Sequence, residues 1–460
     1  MQHRARPLLL LLSLTGCADL ASPAGTIDAG PRLQVDAAHG GGDDDAGAPA
    51  DVDEGQPLPA CAGVQVWISK QILVTHPLVV DDPVRTRWSG AMDDEDDGAW
   101  HAGRLLADLT GDSGIAPEDF VRAFLGKWEV DEEVNGFVVP NRRDGVRAKI
   151  IDPWPKRPDG SLDLTRAPFR LLAITPRFDL RELDPPAPSG ETADPSGDPP
   201  GAGELRFVFG LIDPANGDPL RFTMILEYNM PAFDATGVRA WAQRLADLGQ
   251  HELGSDAYRT ALREITRLVT TRASAPVRAN RSHLVHLRTN DDELGPHQMR
   301  ELRIGPRQHR MDHFYLEKTP QLIVDGQGRL ADYINLHQQE ILDGRYKIPQ
   351  EFPAGRTPPA EFRGSSIGIP GERGYWNAPG IASQTARHQF SRRTCNGCHG
   401  RETGTTGLFH VKNRRAGEPA ELSPFLVGGE PVADPVTGAM RSFDDTRRRG
   451  ADLVDFLCGP

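Results

Sequence analysis

Along the chain, stretches with the two-residue alternation of strands give way to stretches with the 3.6-residue spacing of helices. Val64-Gln65-Val66-Trp67-Ile68 alternates as a strand does, and Val79-Val80 follows. Phe169 to Ile174 is a short, mostly apolar run and predicts a buried strand. Leu205–Ile212 and Leu220–Leu226 flank Asp213-Pro214-Ala215-Asn216-Gly217-Asp218, which predicts a hairpin with suitable turn residues. Further strands are expected at Met299–Ile304 and Phe314–Lys318. Helical spacing runs through Ala99–Leu109. Pro117 opens a second helix, with Glu118 and Asp119 in its first turn to suit the dipole. Val238, Trp241, Leu245 and Leu248 share one helical face, as do Tyr258, Leu262, Ile265 and Val269 behind the candidate cap Ser255. Another helix is expected over Arg329–Leu342, followed by a loop-rich stretch from Tyr346 to Gly380. Hairpins alternating with helix pairs, and no internal repeat, indicate an α+β fold and not a regular βαβ series.

The two ends of the chain depart from this pattern. His3, Arg4 and Arg6 precede the apolar run Leu8–Leu12, which is the layout of an export signal and too short to span a bilayer in the mature protein. The signal ends in Leu14-Thr15-Gly16-Cys17, which resembles a bacterial lipobox. The resemblance implies cleavage after residue 16, lipid on Cys17 and, with Ala18 next, outer-membrane delivery, facing the periplasm or the cell surface. An ordinary secretory signal with a chance cysteine is the alternative. Residues 17–60 are rich in Ala, Gly, Asp and Pro; they cannot bury enough apolar surface to order themselves and are expected to be a tether. A body from 61 to 380 and a small C-terminal segment from 381 to 460 complete the expected organisation. The net charge of −13 over 460 residues argues against nucleic acid and anionic membrane as main partners. Part of it is local, in runs such as Asp93-Asp94-Glu95-Asp96-Asp97. Those runs are expected to be solvated, with calcium binding as the alternative.

The strongest chemical signal is Cys395-Asn396-Gly397-Cys398-His399. Cys-x-x-Cys-His is the attachment signature of a c-type haem: two thiols at this spacing meet the two vinyl groups of one porphyrin, and the next histidine can ligate the iron. A disulfide, a thiol redox pair favoured by Arg392 and Arg393, and a zinc half-site are the competing readings. With Cys17 lipidated and Cys395 and Cys398 on haem, Cys61 and Cys458 are left over. Outside the cytoplasm a disulfide between them would persist.

An expected short helix over Thr385–Arg393 leads into this motif. A Gly/Thr-rich loop follows it, and a terminal amphipathic helix over Arg447–Leu457 closes the chain. This order resembles small class I cytochrome c domains, over residues 382–460 only. The resemblance implies a sixth iron ligand downstream. The candidates are Met440, the only Met after His399, and His410, the preferred one; an open site is the third option. The chain as a whole also resembles uncharacterised exported lipoproteins of Gram-negative bacteria, through the lipobox, Ala167–Ile174, Arg206–Gly210, Thr394–His399 and Ala420–Leu426. That resemblance implies export and shared architecture but no activity.

The body carries no His-Glu-x-x-His, Gly-x-Ser-x-Gly or phosphate loop. His309 with His313, and His283 with His286, are weak metal candidates. Arg288–Glu293 is expected to be a solvated loop, and the tryptophans to be packing residues. The expectation is therefore a membrane-anchored envelope lipoprotein with one c-type haem, serving electron transfer or redox sensing with a redox partner protein. A thiol–disulfide protein, or a binding protein with a structural disulfide, is the alternative.

Overall fold

A computed structural model describes residues 55–134, 137–181, 201–275, 278–305, 309–313, 316, 319–352, 360–364, 367–368, 374–405 and 409–459. The export signal, Cys17, nearly all of the tether and most of Phe314–Lys318 lie outside them. Residues 52–460 cluster as one compact unit. The segment from 381 onward shares its packing with the body.

The fold is α+β, and its centre is an antiparallel sheet. Its strands are β1 (Phe169–Arg177), β2 (Gly201–Ile212), β3 (Pro219–Pro231), β4 (Leu284–Asp291), β5 (Gln298–Ile304), β6 (Met311–His313) and β7 (Ile367–Gly368). The order is β1-β2-β3-β4-β5-β7, with β6 also pairing β5. β2 and β3 form the expected hairpin, in register from Glu204↔Asn229 to Gly210↔Thr223. Side chains alternate across it. Leu205, Phe207, Phe209 and Leu211 of β2 join Phe222, Met224, Leu226 and Tyr228 of β3 in the main core. Against this face pack α1 (Ala102–Asp108), α2 (Pro117–Gly126), α3 (Ala235–Leu248) and α4 (Asp256–Thr270). The helical spacing read from sequence is the buried stripe of α3 and α4, and Ser255 Oγ caps α4 by accepting from Tyr258 N at 3.1 Å.

The opposite face of the sheet carries Val208 and Ile225, and the C-terminal segment lies on it. Val411, Phe425, Leu426 and Cys398 pack there. A Cβ on Gly210 would come within 2.1 Å of Asn413 Oδ1, so the glycine in β2 is what lets that loop seat on the sheet. A second cluster, with Tyr333, Tyr346, Phe352, Phe362, Trp376 and Phe390, joins α5 (Gly328–Leu336), α6 (Gln338–Asp343) and α7 (Gln384–Arg392). α8 (Cys395–Cys398) is one turn, and α9 (Asp445–Cys458) returns to the main core through Leu453 and Val454. Cys61 and Cys458 are joined by a disulfide, with Cα atoms 5.7 Å apart.

Two local expectations are corrected. Val64–Ile68 is not a strand: only Val66 bridges, to Leu58, and the chain then winds into a π-turn over Ile68–Ile72. The cause is the two polar residues that follow. Gln71 Nε2 donates to Leu245 O at 2.8 Å and Lys70 Nζ to His251 O at 2.9 Å, supplying donors to carbonyls at and just beyond the end of α3. Arg288–Asp291 is not a solvated loop but part of β4, buried between β3 and β5. The single helix expected over 329–342 is two, broken at His337.

Candidate haem-attachment site

The site is built from α7 downward. Ser383 Oγ caps α7 by accepting from Ala386 N at 3.2 Å. α7 turns Arg387 into the interior. Its guanidinium donates to Glu402 at 2.8 and 2.9 Å, to Asp434 at 2.9 Å and to Trp376 O at 3.0 Å. His388 Nδ1 bonds Glu402 as well. One buried arginine thus ties the loop after the motif and the outer hairpin around Asp434 to the helix before it. The carboxyls of Glu402 and Asp434 are held below their usual range despite burial: His388 and Arg387 favour ionised Glu402, while backbone N–H groups and Arg387 favour ionised Asp434.

Thr394 then starts α8. Its hydroxyl donates to Ser391 O at 2.7 Å and accepts from Trp376 Nε1 at 2.8 Å and Gly397 N at 3.1 Å. The turn closes through Cys398 N to Thr394 O and His399 N to Cys395 O. Cys395 and Cys398 thereby sit three residues apart on one turn, with His399 capping it. A Cβ at Gly397 would meet Ser391 O at 2.1 Å, so the second x of Cys-x-x-Cys is fixed as glycine by the approach of α7.

Both thiols are free, unlike Cys61 and Cys458. Cys395 lies over β4, its sulfur 3.9 Å from an Arg288 nitrogen, and its amide donates to Thr319 Oγ1. Cys398 Sγ is 3.3 Å from His410 Nε2. Burial raises the pKa of Cys395. Burial, then Asp445 and Cys395, push Cys398 up to about 12. The expected thiolate-stabilising effect of the neighbouring arginines is present at Cys398 through Arg392, but it is outweighed.

His410 is also buried and held far below the usual histidine range, first by desolvation and then by the charges of His399 and Arg449. It is neutral, so the arrangement that fits is a Cys398 thiol donating to Nε2 and Nδ1–H donating to Ser423 Oγ at 2.9 Å. The His399 and His410 ring centroids are 4.3 Å apart at 46°. With ~2 Å for each metal–imidazole bond, two rings across one metal have centroids about 6 Å apart. In this arrangement His410 stands beside His399, its two nitrogens engaged by Cys398 and Ser423. Met440 is 64% exposed on the outer hairpin.

Sequence reasoning passed over His297, directly before β5. Both of its ring nitrogens are buried and neither has a hydrogen-bond partner. Its ring meets Phe409 edge-on, with centroids 6.4 Å apart. Burial first, then His399 and Arg221, lower its pKa to about 3. Its place between two polar loops gave no periodic signal.

The remaining expected candidates are separated. His309 Nδ1 accepts from Asn280 N, whereas His313 bonds Glu132. His286 belongs to a buried charge ladder across the sheet. Glu227 pairs with Arg206 at 3.2 Å and Arg288 at 2.8 Å, and Glu301 with Arg288 at 3.1 Å and His286 at 2.8 Å. Among the described residues the convergent donor groups are Glu204–Glu227–His286 and His388–Glu402–Asp434. In each, an arginine already occupies the cation's place. The acidic run at 93–97 is held by Arg85 and Arg263 through Glu95 and Asp96. Among the described residues, no three ligand atoms of the Cys-x-x-Cys-His turn and its neighbours converge within 4.8 Å.

No family model matches the chain, and no curated protein or solved structure matches it.

Proposed function

We propose that the chain is an envelope lipoprotein, anchored to the outer membrane through lipid on Cys17, that carries one c-type haem and exchanges single electrons with a redox partner protein or senses redox state. The haem would be held by thioethers from Cys395 and Cys398 and by His399 on the iron. The observation that carries this is the α8 turn: two free thiols on one helical turn with a histidine at its cap. Thioether formation consumes both thiols. A bound c-type haem supplies reversible one-electron chemistry at the iron. The chain's own part is to hold α8 rigid through Thr394, Trp376 and Arg387, and to set the polarity beneath it through Arg288 and its carboxylates.

The thiol-exchange alternative has less support. Exchange needs a thiolate, and both pKa values lie above the ordinary thiol range. Protein made with an active c-type haem assembly system is expected to keep its colour after denaturation and to give the two-thioether pyridine haemochrome. Cys398→Ser should shift that spectrum to the single-thioether form, and Cys17→Ser should move the coloured protein from the membrane to the soluble fraction. Colourless wild-type protein from cells in which a control cytochrome matures would sink the proposal.

A further inference from the structure

The middle of the sheet holds a buried histidine that the haem reading leaves unused. His286 lies on β4, on the same face as Arg288. The cross-strand register sets Glu227 of β3 opposite His286, and Glu301 of β5 opposite Arg288. Arg206 of β2 pairs with Glu227 at 3.2 Å and with its own neighbour Glu204 through Nε at 2.7 Å. Arg303 of β5 donates from Nε to His286 Nε2 at 2.7 Å. The charged and titratable groups facing the ring are therefore Glu204 and Arg206, Glu227, Arg288, and Glu301 and Arg303, with Cys395 of α8 behind Arg288.

Two partners compete for Nε2. The nitrogen that accepts from Arg303 is also 2.8 Å from Glu301 Oε1, and that oxygen makes no hydrogen bond. On the other side of the ring, Nδ1 is 3.5 Å from Glu227 Oε2 and makes no hydrogen bond either. A lone pair on Nε2 suits Arg303 and repels Glu301. An N–H there suits Glu301 and repels Arg303. One nitrogen cannot satisfy both, and a buried polar atom left without a partner costs about 1–3 kcal/mol. Charge leaves both states within reach. The three arginines balance the three carboxylates without the ring, so its proton is a charge in excess, opposed by burial and favoured by the carboxylates on either side. Burial, the largest effect, lowers the pKa of His286, but Glu301 and Glu227 outweigh it and leave it above the ordinary histidine value.

We infer that His286 is a pH-operated switch built into the sheet: on taking up one proton its Nε2 passes from Arg303 to Glu301, and Glu301 relaxes its hold on Arg288. The proton comes from solvent, none is released, and the ring gains one positive charge. A single side chain carries the change onward. Glu301 holds Arg288 Nη1 at 3.1 Å, and Nη1 is also the nitrogen 3.9 Å from Cys395 Sγ. Arg288 keeps Glu227, bound through Nε at 2.8 Å, so it turns and is not released. Acidification thus directs a guanidinium N–H towards the floor of α8. Every group that the switch uses belongs to the chain, whatever the thiols carry.

The test is NMR of the full chain in detergent micelles, with 15N in the histidine and arginine side chains, from about pH 8.5 to about pH 5, the range in which histidines change charge. One histidine, missing from the His286→Gln spectrum, should pass from the neutral to the doubly protonated pattern. The Nε–H signal of Arg303 and the guanidinium signals of Arg288, identified with Arg303→Lys and Arg288→Lys, should move with the same midpoint and stay still in His286→Gln. Glu301→Gln keeps the shape of its side chain and serves if His286→Gln fails to fold. It should lower the midpoint by about one unit, a tenfold weaker hold on the proton. A folded wild type whose His286 keeps one protonation state over the whole range would overturn the inference. So would a titrating His286 that leaves the Arg288 signals unmoved, or a midpoint unchanged in Glu301→Gln. None of these results decides whether haem is attached, which the haemochrome reports separately.

Discussion

At the scale of single residues, the motif is shaped as much by its neighbours as by its ligands. Thr394 spends its hydroxyl on three partners to hold the start of α8, and Gly397 leaves room for the carbonyl of Ser391. Gly397→Ala should therefore push α8 off α7, at a cost of about 1–3 kcal/mol for an overpacked contact. The expected outcome is a lower melting temperature together with a reduced yield of covalently attached haem. A variant with wild-type values for both would show that α8 can shift freely, and the rigidity argued for it would be lost. Asn396, also in the motif, is buried, and its Oδ1 has no partner. Nothing in the structure explains that choice.

At the scale of elements, amphipathic pieces were legible and polar pieces were not. α2, α3, α4 and the β2–β3 hairpin follow from spacing because one side of each meets the core and the other does not. β4 escaped because Arg288, Thr289, Asn290 and Asp291 read as a loop. Arg288 is accommodated in the sheet because β3 and β5 bring Glu227 and Glu301 to its guanidinium. Such pairing is long-range and leaves no local trace. The same holds for the site: the Cys-x-x-Cys-His turn is a local spacing and was read directly, whereas the contact of Cys395 with Arg288 of β4 is long-range. Ion pairing also joins α9 to β1. Asp445 pairs with Arg448, Asp179 with Arg177 and Arg448, and Arg449 joins Asp445. Burial raises the Asp445 pKa, but the charges of Arg449, Arg177 and Arg448 outweigh it and bring it to about 2, from an ordinary 3.8. A depressed carboxylate stabilises the fold fully above its unfolded value and loses that contribution as pH falls towards the folded one. The window is therefore about pH 4 to 2, and the contribution is about 2 kcal/mol. Urea midpoints measured from pH 6 to pH 2.5 should fall below pH 4, and Asp445→Asn should be less stable at pH 6 and flatter in that window. An unchanged slope in the variant would assign the acid loss elsewhere.

At the scale of the whole molecule, the C-terminal segment covers one face of the sheet and packs as part of the body. It covers the second face with Val411, Phe425 and Cys398, sends α9 into the main core and ends at Cys458. The disulfide to Cys61 joins the first part of the body to its last, across a sequence separation of 397. On the proposed reading the body hangs from a lipid at Cys17, so this bond lies where the tether enters. Both sulfur-bearing residues are exposed, so the bond adds little core packing. Its contribution must come from restricting the unfolded chain, which in the loop-entropy picture is largest for the longest loops, about 5 kcal/mol as an upper figure. Cys458→Ser should lower the melting temperature by several degrees without altering the spectrum of the attached haem, because neither the thiols of α8 nor His399 touches that bond. Reductant should bring wild type down to the variant's melting temperature and leave the variant where it is. If reduced wild type and Cys458→Ser both melt with the oxidised wild type, α9 is held by Leu453, Val454 and its ion pairs alone, and the closure at the tether is redundant for stability.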